Sequence, residues 1–196
     1  ELASAAPAPG GGGGAAMAGA LAVALASMVA NLTIGKEKFA DRESEVKELL
    51  EQAEAERVRL LTLVDEDAAV FNSFMSCYKL PKTTDEEKAA RTAAIRAAAK
   101  QAATVPLNIA RSSFAVLKLA DRLVVSGNPG VITDGACSGL LARAALRCAE
   151  YNVRINLGLT KDEAWNAQAA AELEQLLADA EALETRLLAV TDKALQ

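Results

Sequence analysis

The feature that most constrains this chain is a run of five glycines, residues 10–14, which follows Pro9 and leads directly into an uncharged segment, residues 15–30. Glycines that open a helix present backbone N–H groups without side chains. Gly10, Gly11 and Gly12 are therefore expected either to hold an anion or to let another element pack unusually close. No Gly-Lys-Ser/Thr follows and no strand pattern precedes the run, so it is not a nucleotide-binding P-loop. The segment after it, AAMAGALAVALASMVA, is apolar on every side and carries small residues at Ala16, Gly19, Ala20, Ala24 and Ser27. Such a helix reads as the centre of a bundle. A membrane span is the competing reading. It is disfavoured by the alanine and glycine content, by Ser27 and Asn31 near the end, and by the lack of a basic flank before it.

The 196 residues suffice for one sizeable core, and 52% hydrophobic content with only 4% aromatics points to closely packed helices rather than sheets. The expected fold is all-α: an up-and-down multi-helix bundle around a buried central Ala-rich helix, a single domain over residues 1–196 with six or more helices. The chain opens without methionine, and an N-terminal piece is expected to be missing. A net charge of −5 argues against nucleic acid as a partner. Cys77, Cys137 and Cys148 are odd in number without CxxC spacing, and there is no histidine. Neither a disulfide framework nor an ordinary zinc site is indicated, and the thiols are expected to be buried in a cytoplasmic protein.

Residues 41–80 read as one long helix or two consecutive ones, stopped by Pro81. Thr84 and Glu87 form a capping box for the next helix. Pro106 is expected to begin another helix, which Gly127 closes, and a fifth runs over about residues 131–157. Thr160 and Glu163 read as a second capping box before a last helix with Leu173, Leu176, Leu177, Ala180, Leu183 and Leu187 on one stripe.

Within residues 41–80, Asp67 is flanked one turn away by Leu63, Val64, Val70 and Phe71, so a helix would desolvate its carboxyl and raise its pKa toward the range of acid–base catalysis. Its alternative role is a structural ion pair with an arginine of another helix. Asp65 points to the other side. Asp134 stands where a first-turn acid would. Asn152 and Asn156 lie one turn apart on one face, able to hydrogen-bond a heterocycle or each other.

Six stretches, in this order, resemble the formiminotetrahydrofolate cyclodeaminase and methenyltetrahydrofolate cyclohydrolase family: the glycine run leading to SMVANLTIGK, LVDEDAAVF, YKLPKTTDEEKAAR, VPL at 105–107, GNPGVITD and NVRINLGL. The resemblance implies a helical homodimer acting on tetrahydrofolate derivatives with no metal or organic cofactor; the charge and segment composition above point to no nucleic acid and no membrane as partners. It also implies that Asp67 is the catalytic acid–base group. The substrate is then expected to meet Asn31, Asp134, Asn152 and Asn156, and its anionic glutamate tail to meet Lys36, Lys38 and Lys82. With GKEKF and LPKTTDEEKAAR similar to those of short bacterial cyclohydrolases, and as a stand-alone chain, the protein is expected to be a cyclohydrolase rather than a cyclodeaminase. A cyclodeaminase releasing ammonia, or a folate-binding or interaction module without turnover, is the alternative.

Overall fold

The computed structural model describes residues 2–196 and contains five α-helices: α1 (Gly10–Asn31), α2 (Glu43–Cys77), α3 (Asp85–Ser126), α4 (Ile132–Thr160) and α5 (Glu163–Ala194). Short 3-10 turns, Glu37–Phe39 and Pro129–Val131, sit before α2 and α4. Among the described residues there is no strand. Cross-links between helices fix the up-and-down course. Ser27 donates to Glu54, Ser138 to the carbonyl of Ala22, and Arg143 and Arg154 on α4 pair with Glu184 and Glu174 on α5.

α1 is the central helix. Ala16, Ala22, Val23, Ala26 and Ala30 are fully buried, and a Cβ on Gly19 would already touch Leu60 and Ser113. Small side chains thus let α2, α3 and α4 close around it. α1 is long and apolar enough to cross a membrane, but most of it is buried inside the bundle. Its burial is nevertheless incomplete: Met17 and Leu21 are each more than half exposed.

The expected six or more helices are five, because Pro106 does not start a helix but lies buried inside the 42-residue α3. A proline within a helix removes one i→i−4 bond, here the one to the carbonyl of Ala102. That carbonyl accepts instead from Asn156 Nδ2 at 2.7 Å. The region 41–80 is one helix, α2. The capping box of Thr84 and Glu87 forms as expected, whereas the second one does not. Asp162 is the N-cap of α5, accepting from the Trp165 N–H, and Thr160 is drawn away by Asn166. On α5, Leu173, Leu177, Ala180 and Leu187 are buried, while Leu176 and Leu183 lie at the margin of the core. The cysteines are free and not buried: Cys137 and Cys148 are exposed and Cys77 partly so.

Candidate active site

α2 runs antiparallel to α1 and brings Asp67 against the glycine run at the N-terminus of α1. A Cβ on Gly12 would overlap both carboxylate oxygens of Asp67, and one on Gly13 would collide with Pro9. Gly10 has φ +57°, a left-handed backbone that favours glycine. The run therefore serves close packing, and the group packed there is itself an acid. Burial pushes the Asp67 carboxyl above its ordinary pKa, while the nearby Gly13 N–H opposes that shift. No arginine or lysine pairs with Asp67 among the described residues. Ion pairs of the expected structural kind occur elsewhere, at Asp121 with Arg186 and Glu172 with Arg111. Asp65, two residues away, is exposed.

Asp67 opens into a cavity of about 330 Å³ bounded by Pro7, Pro9 and the glycines, by α2, by Ala102 of α3 and by the end of α4. Asn152 and Asn156 stand on its α4 wall. They do not bond side chain to side chain. Asn152 Nδ2 donates to the carbonyl of Cys148 at 2.9 Å, and Asn156 Nδ2 to the carbonyls of Ala102 and Asn152. Asn156 spends both N–H donors on backbone and Asn152 one of its two, so each offers a ligand its Oδ1 acceptor and Asn152 keeps one donor. Two acceptors beside an acid suit a flat heterocycle rich in N–H donors. The apolar wall is larger than the sequence led us to expect: Val70, Phe71 and Phe74 of α2 and Ile155 and Leu159 of α4 face the cavity. The signal for the aromatic wall was present in the spacing Asp67, Phe71, Phe74, which puts all three on one face of α2.

The other expected site residues lie elsewhere. Asn31 ends α1, about 28 Å from Gly12 at 1.5 Å per residue, and its amide donates to the carbonyl of Ser27. Asp134 sits in the first turn of α4, about 27 Å along that helix from Asn152. Lys36 and Lys38 belong to the connection after α1, at that same remote end. Two of the family-like stretches meet there for structural reasons. The Asn128 N–H bonds Thr33 Oγ1 at 2.8 Å, and its side chain reaches the carbonyl of Leu32. Lys82 lies in the turn between α2 and α3, beyond the aromatic wall.

The profile of the formiminotransferase-cyclodeaminase family matches residues 1–175. The chain belongs to this family. Within it, the chain is 46% identical over 186 residues to a methenyltetrahydrofolate cyclohydrolase of Methylorubrum extorquens, covering 95% of this chain and 89% of that one. It is 33% identical over 157 residues to the formimidoyltransferase-cyclodeaminase of Sus scrofa, where the match spans 80% of this chain but 29% of the longer protein. The fold is also that of the formiminotetrahydrofolate cyclodeaminase of Thermotoga maritima, with a TM-score of 0.89 at 30% identity over 100% of this chain and 93% of that one.

Proposed function

We propose that this family member hydrolyses 5,10-methenyltetrahydrofolate to 10-formyltetrahydrofolate, with Asp67 as general acid–base. The observation that carries the reading is a half-buried carboxyl, without an ion-pair partner among the described residues and with its pKa raised by desolvation, in a cavity lined by acceptors and aromatics. The near full-length similarity to a cyclohydrolase supports it. In this chemistry the Asp67 carboxylate takes a proton from water as the water oxygen bonds to the methenyl carbon. The tetrahedral adduct then collapses: the bond from that carbon to N5 breaks, N5 receives the proton held by Asp67, and the adduct hydroxyl loses its proton to solvent as the formyl C=O forms. A carboxylate also stabilises the cationic substrate electrostatically. Oδ1 of Asn152 and Asn156 would accept from the pterin N–H groups. Catalysis is by side chains alone, with no metal or organic cofactor. Chelator treatment should leave the rate unchanged.

A second reading is favoured by the similarity to the Thermotoga maritima and Sus scrofa proteins. A cyclodeaminase would use the same acid to protonate departing ammonia after N10 attacks the formimino carbon. Following methenyl absorbance and ammonia release from the two substrates separates the readings. A folate-binding module would produce neither signal.

We further propose a soluble, cytoplasmic homodimer that pairs through α1. Its outward residues Met17, Leu21, Ala24, Met28 and Asn31 are exposed at alternating spacings of four and three, the seam of a helix that packs on another helix. No charge occurs from Leu2 to Gly35, so a second copy meets the stripe without burying an ion.

A further inference from the structure

One stretch that the site does not use is the Tyr78 to Arg91 segment, which closes α2 and opens α3. Tyr78 continues the face of Asp67, Phe71 and Phe74 by one more turn, at spacings of four, three and four. Its ring meets that of Phe74 edge-on at 5.3 Å. Arg91 of α3 lies beyond it, with the guanidinium 5.5 Å from the Tyr78 ring and Nη2 donating to the Tyr78 carbonyl at 3.3 Å. Arg91 is partly buried, and its Nε is buried with no hydrogen-bond partner. The other partly buried arginines, Arg42, Arg57, Arg111 and Arg143, each pair with a carboxylate. Among the described residues Arg91 pairs with none. A partly buried guanidinium with no acid beside it is a poor structural choice, and its accessible edge is a ready receptor for an incoming carboxylate.

Building on the folate reading, we propose that Arg91 binds the glutamate carboxylate of the substrate, with the aminobenzoyl ring lying along Phe71 and Phe74. The dimensions agree. Asp67 and Tyr78 are about 16 Å apart along α2 at 1.5 Å per residue. The tail carboxylates lie roughly 10–13 Å from the reacting carbon by ordinary bond lengths, and the arginine side chain reaches back over the remainder. No cationic residue lines the cavity itself, so an anionic tail finds its partner outside it, and Arg91 stands at the end toward which the aromatic face of α2 leads. Of the three lysines expected to meet the tail, Lys82 alone is on this side, placed beyond Arg91 to meet further glutamates.

The test measures binding of tetrahydrofolate and of tetrahydropteroate, the same molecule without glutamate, by titration calorimetry. The wild type should prefer tetrahydrofolate by about tenfold or more, the range of a charge-assisted hydrogen bond. R91Q should lose that preference while keeping its affinity for tetrahydropteroate, and R91K should retain part of it. If R91Q weakens both ligands equally and lowers the melting temperature, Arg91 only holds the α2–α3 turn and the proposal is overturned. It is equally overturned if the wild type shows no preference, or if R91Q keeps the preference; in those cases the folate reading stands. If the wild type binds neither ligand, the folate reading itself fails and the tail site falls with it.

Discussion

Asn156 donates to the carbonyl of Ala102, the acceptor that Pro106 deprives of its helical partner. One bond thus ties a helix defect in α3 to a wall residue of the cavity on α4. It explains why a proline is tolerated inside a 42-residue helix and why Asn156 is held in one orientation. Replacing Asn156 with Ala leaves that carbonyl orphaned, which should cost about 1–3 kcal/mol. In a Pro106→Ala background the restored N–H takes the carbonyl, and the same replacement should cost about 1 kcal/mol less. A chemical-denaturation cycle on the four proteins measures this coupling. Equal costs in both backgrounds would show that the two residues act independently.

The contact between Gly12 and Asp67 leaves no room for a side chain. Gly12→Ala is expected to push the carboxyl out of place, abolishing most turnover and lowering the melting temperature. Gly14 provides the control. A Cβ there meets only the tip of Leu2 at 4.0 Å, so Gly14→Ala should keep activity and gain up to about 1 kcal/mol from helix propensity. Similar behaviour of the two variants would contradict the packing role assigned to Gly12.

Leu21 is central in the exposed stripe of α1 and 56% exposed in the single chain. A charge there should be harmless to a monomer and disruptive to a dimer. Leu21→Glu is expected to halve the mass seen by light scattering at micromolar concentration. A wild type that is already monomeric under those conditions contradicts the α1 pairing.

Much of this was legible in the sequence because local rules decided it. Thr84 and Glu87 cap α3, the small residues of α1 demand close neighbours, and the apolar flanks of Asp67 foretell its desolvation. What failed was long-range placement. Asn31 and Asp134 occur in family-like stretches, yet an antiparallel bundle sends the ends of α1 and the start of α4 to the pole away from Asp67. Helix length, rather than residue chemistry, separates them from the cavity. Pro106 misled for a related reason. Propensity reads proline as a boundary, and only a tertiary partner, Asn156, makes it an interior residue. The thiols were misplaced because a small apolar residue on an exposed helix face looks, in sequence, like one in a core.

The raised pKa of Asp67 has a definite consequence for stability. Burial is its leading cause, so the folded protein holds this proton more tightly than the unfolded chain. The resulting stabilisation is present in full below the unfolded carboxyl pKa and is lost as the pH rises through the folded value. At neutral pH the half-buried, charged carboxylate is a burden. Asp67→Asn should therefore melt higher than the wild type at pH 7, and the gap should close as the pH is lowered through the carboxyl range. A constant gap across that range would mean that the group is not desolvated.

The central claim is that Asp67 moves the proton in hydrolysis of the methenyl group. It is tested most directly by following the absorbance of 5,10-methenyltetrahydrofolate with the wild type, Asp67→Asn and Asp65→Asn. The wild type should accelerate decay well above the buffer rate. Asp67→Asn should lower kcat by about a hundred- to ten-thousand-fold, and Asp65→Asn, exposed on the other side of α2, should stay near the wild type. A folded Asp67→Asn protein that keeps wild-type turnover, or a wild type that leaves the decay at the buffer rate, would contradict the account.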